Sequence, residues 1–217
     1  MLKACIFDLD GVIVDTAKYH YIAWKEIARE LNFDFTEHDN ERLKGVSRMR
    51  SLDILLEIGG LLLNEETKIS LADKKNKNYV SYIEKMTSAE ILPGVPAFLK
   101  ELKNNRIKTA IGSASKNTPL ILQRIGLANY FDEVVDGNKA SKAKPDPEVF
   151  LLGASGLGVS PGNCVVFEDA EAGIEAALAA GMKCVGVGNP QILYKAHMVI
   201  SGFEEMDFNR LKTFSEI

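Results

Sequence analysis

Short apolar runs of strand-forming residues recur along this chain, each followed by a stretch with helical spacing, and that alternation calls for an α/β core. The runs are Ala4 to Phe7, Thr109 to Gly112, Val134 to Val135, Cys164 to Phe167, Cys184 to Val187 and Met198 to Ile200. Several are apolar at successive positions instead of alternating. Strands buried on both faces read this way, so a parallel sheet is expected.

The interval between the first and second runs is about a hundred residues, far more than the crossover helix of a βαβ unit needs. From Thr16 to Thr87 the sequence reads as helices only. Tyr19, Ile22, Ala23, Trp24, Ile27 and Leu31 share one face of a first helix, Leu52, Leu55 and Leu56 mark a second, and Ile69 to Met86 carries a third. Pro93-Gly94-Val95-Pro96 then opens a helix with Phe98, Leu99 and Leu102 on its apolar side, returning the chain to the sheet. The expected division is a core of residues 1–15 and 88–217, with a helical unit of residues 16–87 inserted after the first strand. Crossings near Asp15-Thr16 and Thr87-Ser88 would make that unit a hinged cap.

Composition narrows the setting. With 46% hydrophobic and 26% charged residues and no apolar run near the ~20 residues of a membrane span, the chain reads as a soluble, cytoplasmic protein without membrane partners. Its net charge of −4, with one local basic cluster at Lys74-Lys75-Asn76-Lys77, argues against a nucleic-acid partner. Cys5, Cys164 and Cys184 are odd in number and lie inside apolar runs, which fits buried reduced thiols. A monomer acting on a small molecule is expected.

Ligands of a parallel α/β sheet collect at the carboxyl ends of its strands. There the sequence places Asp8-Leu9-Asp10-Gly11, Ser113-Ala114-Ser115-Lys116-Asn117, Lys144 before Pro145, and Glu168-Asp169. Asp8 and Asp10, one residue apart, project to the same side at strand periodicity. With Glu168 and Asp169 they gather three or four negative charges, untenable without a cation, and oxygen ligands of this kind suit Mg2+. The cation and Lys144 would draw a phosphoryl dianion toward Asp8, while Ser113 and nearby amides hold its oxygens. Asp8 is then the nucleophile, and Asp10 exchanges a proton with a substrate hydroxyl.

Each piece has a plainer reading. An acidic pair after a strand is often a turn with an N-cap, Ser113 to Asn117 can be a solvated loop, and Lys144-Pro145-Asp146-Pro147 can start a helix. Glu168-Asp169 fits an acidic helix N-terminus, since Ala172 to Ala180 is a strong helix closed by Gly181. Their occurrence together, in order, at successive strand ends favours the site.

These segments, Phe7-Asp8-Leu9-Asp10-Gly11-Val12, Ser113-Ala114-Ser115, Lys144-Pro145 and Glu168-Asp169-Ala170-Glu171-Ala172-Gly173-Ile174, resemble the haloacid dehalogenase superfamily. The resemblance implies a Rossmann-like core, a small inserted all-helical cap, an aspartyl phosphate on Asp8, and Mg2+ held by Asp8, the main-chain oxygen of Asp10, and Asp169 with Glu168. Within the cap, Asp15-Thr16-Ala17 with His20 and Trp24, Leu43-Lys44-Gly45-Val46-Ser47-Arg48 with Ser51, and Lys75-Asn76 before Tyr79-Val80 are similar to a sugar-phosphate mutase branch of that superfamily.

On that resemblance Arg48 and Lys75 bind the phosphate that is not reacting, and Thr16 lies at the hinge. His20 helps hold substrate and hinge together, Lys44, Gly45, Val46 and Ser47 shape the sugar site, and Ser113, Ala114, Ser115, Lys116 and Asn117 bind from the core. Taken alone, Trp24 reads better as a core anchor than as a sugar platform, His20 as an interfacial histidine, and Arg48 and Lys75 as solvated charges. A bisphosphate, however, needs cations at both ends. The implied reaction converts β-glucose 1-phosphate to glucose 6-phosphate through a bound β-glucose 1,6-bisphosphate. A sugar-phosphate phosphatase on the same scaffold is the alternative, and a non-catalytic binding protein is the reading from another class.

Overall fold

The computed structural model describes residues 2–216; residues 1 and 217, the outer limits expected for the core, lie outside them. Six strands form one sheet: β1 (Ala4–Phe7), β2 (Lys108–Gly112), β3 (Glu133–Val135), β4 (Cys164–Glu168), β5 (Lys183–Val187) and β6 (Met198–Ile200). Their order is β3-β2-β1-β4-β5-β6 and every pairing is parallel. This is the Rossmann-like arrangement, in which the chain leaves β1 to opposite sides and opens a crevice above its carboxyl end. The six apolar runs of the sequence are these strands, to within a residue at either end.

Burial on both faces explains why the runs do not alternate. Cys5 and Phe7 face one core cluster, where Phe7, Phe98, Phe167 and Phe203 pack ring against ring, while Ala4 and Ile6 face another with Phe150 and Ile174. The cysteines are buried free thiols. The first face is covered by α5 (Val95–Asn104), α6 (Thr118–Arg124) and α9 (Phe208–Glu216), the second by α7 (Glu148–Gly156) and α8 (Glu171–Ala179).

Between β1 and α5 come four helices: α1 (Ala17–Glu30), α2 (Glu37–Glu41), α3 (Arg48–Gly59) and α4 (Glu65–Ile83). They enclose an apolar cluster of their own containing Trp24, Ile27, Leu52 and Leu55. Three local details differ from expectation. Ile22, placed on the buried face of α1, is 39% exposed; the stripe runs through Ala23, Trp24, Ile27 and Ala28 instead. The third expected helix starts and ends earlier than Ile69 to Met86, because the Asn64 side chain accepts from the Thr67 amide and caps it, with Glu65 and Glu66 in the favourable first turn. The short α2 was not anticipated, although Thr36 and Asp39 form a reciprocal capping box at its start.

The two crossings between these helices and the sheet run side by side. The Asp15 amide donates to the Glu90 carbonyl and the Leu92 amide to the Ile13 carbonyl, each at 3.0 Å. Lys18 and Tyr19 of α1 reach the Glu90 carboxylate at 2.6 and 2.8 Å.

Candidate active site

A cleft of about 610 Å³ lies between the carboxyl ends of β1 to β4 and the helices α1, α3 and α4. Asp8 follows β1 directly, its amide still bonded to the Phe167 carbonyl at 2.9 Å, so the ladder to β4 fixes its backbone. Gly11 then turns the chain with φ +81°, and a Cβ there would stand 2.2 Å from Asp169 Oδ2. Only glycine allows this approach, which sets the Asp169 carboxylate against the Asp10-Gly11 backbone.

Lys144, which the plainer reading set at a helix start, is 3% exposed. Its Nζ donates to Asp8 Oδ1 at 2.5 Å and to Glu168 Oε1 at 2.6 Å. Burial opposes the ammonium, but the two carboxylates outweigh it and hold Lys144 above its ordinary pKa. The following helix, α7, begins at Glu148 with Pro147 as its cap residue, leaving Lys144 free to project inward. Ser113, after β2, is 1% exposed and accepts from the Ser115 amide, while Ser115 Oγ accepts from the Asn117 amide; these turns fold the loop before any ligand arrives.

Asp10 lies between two donors. The Thr16 hydroxyl makes a short hydrogen bond to Asp10 Oδ1, and His20 Nε2 stands 3.9 Å from the same oxygen. Burial and the Asp8 charge raise the Asp10 pKa to about 6, against the pull of Thr16. Lys75 Nζ is 2.9 Å from His20 Nδ1. When Lys75 is an ammonium it can only donate, and in that state Nδ1 is the acceptor and Nε2 carries the proton on the side of Asp10. The neutral ring is consistent with its pKa, pushed well down by burial and by Lys75 and Arg48.

Lys75 is itself 3% exposed, stacked over Trp24 and Tyr79 at 4.9 and 4.5 Å. Burial and Arg48 lower its pKa to about 7. Arg48 has Asp73 at 4.0 Å, a carboxylate that is itself largely exposed. The helical wall of the cleft thus holds two cations short of anion, opposite the acidic floor.

That floor carries excess negative charge. Burial, Glu168 and Asp8 together push the Asp169 pKa well up, with Lys44 at 4.0 Å as partial relief. Among the described residues no three acidic, histidine or cysteine side chains converge as a complete metal cluster. The donors the floor offers, the Asp8 and Asp169 carboxylates with Asp169 packed against Gly11, are oxygens, which suit magnesium, an ion that keeps waters and shares phosphate oxygens, better than zinc.

All but two of the expected site residues line the cleft: Asp8, Asp10, His20, Trp24, Lys44, Gly45, Val46, Ser47, Arg48, Ser51, Lys75, Ser113, Ala114, Ser115, Lys116, Asn117, Lys144 and Asp169. Thr16 and Glu168 are fully buried behind it. Both Glu168 oxygens already accept protein donors, Oε1 from Lys144 and Oε2 from the Ala170 amide at 2.7 Å, so it reaches a cation only through a remaining lone pair. Trp24, 1% exposed within the helical cluster, is an anchor whose ring also meets Lys75. Ser47 caps α3 by accepting from the Arg50 amide. Asn40, Asp73, Asn76, Tyr79 and Lys142 also line the cleft and were given no role from sequence. Asn76 and Tyr79 follow Lys75 by one and four residues, a spacing that puts Tyr79 one turn on along the same face.

The family model for haloacid dehalogenase-like hydrolases matches residues 2–181. A β-phosphoglucomutase of Bacillus subtilis is 46% identical over 92% of this chain and 89% of its own. A phosphorylated carbohydrates phosphatase of Thermotoga maritima is 36% identical over 84% of this chain and 83% of its own. The crystal structure of a β-phosphoglucomutase from Clostridium difficile superposes with a TM-score of 0.95 at 45% identity, covering 100% of this chain and 98% of that one.

Proposed function

The chain belongs to the haloacid dehalogenase-like hydrolase family, and from that premise we propose that it is a β-phosphoglucomutase, an isomerase that interconverts β-D-glucose 1-phosphate and glucose 6-phosphate. The observation that carries this reading is the pair of cationic ends: Lys144 beside Asp8 on the sheet, and Lys75 with Arg48 on the helices opposite. A site for one phosphate needs only the first, whereas a sugar carrying two phosphates needs both.

Residues 16–87 act as the cap and the paired segments at Asp15 and Glu90 as its hinge. Asp8 attacks the phosphorus of a bound phosphate ester; the bond from phosphorus to the sugar oxygen breaks, that oxygen takes the proton of Asp10, and the phosphoryl group stays on Asp8. In the other half reaction Asp10 accepts the proton of a sugar hydroxyl while the phosphoryl group passes from Asp8 to that oxygen. An Asp10 pKa near 6 serves both directions at neutral pH. β-Glucose 1,6-bisphosphate is the species shared by the two halves, and it turns between them so that Arg48 and Lys75 hold whichever phosphate is idle. Asp8, Asp169 with Glu168 and the Asp10 carbonyl would hold magnesium, which supplies charge neutralisation at the phosphoryl oxygens. Lys144 anchors Asp8 and adds its own charge there. Closure of the cap excludes water, which would otherwise take the phosphoryl group.

Purified protein with magnesium, β-glucose 1-phosphate and a trace of the bisphosphate should form glucose 6-phosphate in large excess over the bisphosphate supplied. Stoichiometric phosphate release with no glucose 6-phosphate would contradict the assignment and favour the phosphatase.

A further inference from the structure

The hydroxyl of Tyr79 lies at the centre of this machinery and bonds to no protein group. The residue is 1% exposed. Its ring packs on His20 with centroids 4.2 Å apart and supports the Lys75 ammonium from below. On its hydroxyl side stand Thr16, close enough to ease ionisation of the phenol as a hydrogen-bond partner does, and the Asp10 carboxylate, which opposes it, yet the Tyr79 hydroxyl makes no hydrogen bond of regular geometry. The Thr16 proton is already directed at Asp10 Oδ1. A threonine hydroxyl has one proton to give and lone pairs to receive with, so Thr16 can accept from Tyr79 while donating to Asp10.

A buried hydroxyl without a partner is costly, and phenylalanine would fill the same space without that cost. Tyr79 belongs to α4 of the cap, whereas Asp10 belongs to the core and Thr16 to the hinge between them. We propose that Tyr79 is a positioning residue for Asp10, its hydroxyl donating to Thr16 Oγ1 as the cap shifts and so fixing the direction in which Thr16 presents its proton to Asp10. Donor chains of this kind reinforce one another in a water-poor site. The proposal rests on the phosphomutase reading for the part played by Asp10.

The test is Tyr79→Phe in the full-length protein with magnesium, assayed beside the wild type and beside Thr16→Val and the double variant. The expected result is a kcat for glucose 6-phosphate formation at least tenfold lower, with KM for β-glucose 1-phosphate within about twofold and a melting temperature equal to or above that of the wild type. Because Tyr79 acts through Thr16, adding Tyr79→Phe to Thr16→Val should cost little more. Turnover within twofold of wild type would overturn the proposal. So would a joint fall of kcat, substrate affinity and melting temperature, which is the pattern of lost packing, or full additivity with Thr16→Val. If the wild type makes no glucose 6-phosphate, the substrate assignment fails by itself; the ratio of variant to wild-type release from other phosphate esters then still decides whether Tyr79 acts on Asp10.

Discussion

Asn117 Nδ2, just before α6, donates to Asn76 Oδ1 of α4 at 2.9 Å, joining the sheet side of the cleft to its helical wall. On the reading of residues 16–87 as a moving cap, this bond ties the cap to the sheet side of the cleft and would be broken by opening. Asn76→Ala should therefore leave folding untouched and loosen closure. Its expected signature is a several-fold rise in phosphate released per glucose 6-phosphate formed, with the melting temperature within about 1 °C of wild type. An unchanged product ratio would show that Asn76 does not report on closure.

Lys75 gives the site a pH dependence. Its pKa of about 7 lies below the ordinary 10.5 because it is buried and faces Arg48. The groups around it are His20 from α1, kept neutral well above its lowered pKa, Arg48 from α3, and Asp10 from the core. A bound phosphate favours the ammonium, so below pH 7 the cation is ready, and above it binding must recruit a proton. The dissociation constant of glucose 6-phosphate, a dianion over this range, should rise between pH 7 and 9 by up to about tenfold per unit, and Lys75→Arg should flatten that rise. The sign for stability is opposite: between 7 and 10.5 the unfolded chain holds a proton that the folded one does not, so this group's contribution to stability improves as pH rises. Calorimetry at three pH values checks the binding trend, and a flat wild-type profile would remove Lys75 from the distal phosphate site.

Gly173 opposes the usual rule. Alanine is the better helix former by about 1 kcal/mol in a helix interior, yet a Cβ at Gly173 of α8 would stand 1.7 Å from Glu168 Oε1 and 2.0 Å from its Cδ. Glu168 has nowhere to retreat, being fully buried and bonded to Lys144 and the Ala170 amide. Breaking such a buried pair costs on the order of 3 kcal/mol, more than the helix gains, so Gly173→Ala should lower stability and abolish most turnover. Thermal melting decides it; a raised melting temperature would mean the steric argument is wrong.

The strands were legible because each is a consecutive apolar run, and burial on both faces leaves that trace in one dimension. Their polar ends were legible for the same reason: Asp8, Ser113 and Glu168 follow directly on residues that had to be strand. Helix limits were less so, since the Asn64 cap and the Thr36 box depend on single polar side chains rather than on periodicity. Ile22 shows the same limit, as the stripe of α1 is only as wide as its neighbours make it. Tyr79 and Asn76 stood beside Lys75 in the sequence, but the facts that matter about them, an orphan hydroxyl beside Thr16 and a bond to Asn117, join residues far apart along the chain. Nothing local encodes them.

Whether the phosphoryl group on Asp8 goes to a sugar or to water is decided by a single-turnover partition experiment. Enzyme phosphorylated with labelled β-glucose 1,6-bisphosphate would be mixed rapidly with excess β-glucose 1-phosphate or with buffer alone. Label should pass to sugar bisphosphate and glucose 6-phosphate at least tenfold faster than phosphate appears in buffer. Label emerging as inorganic phosphate at one rate, with or without the sugar, would contradict it.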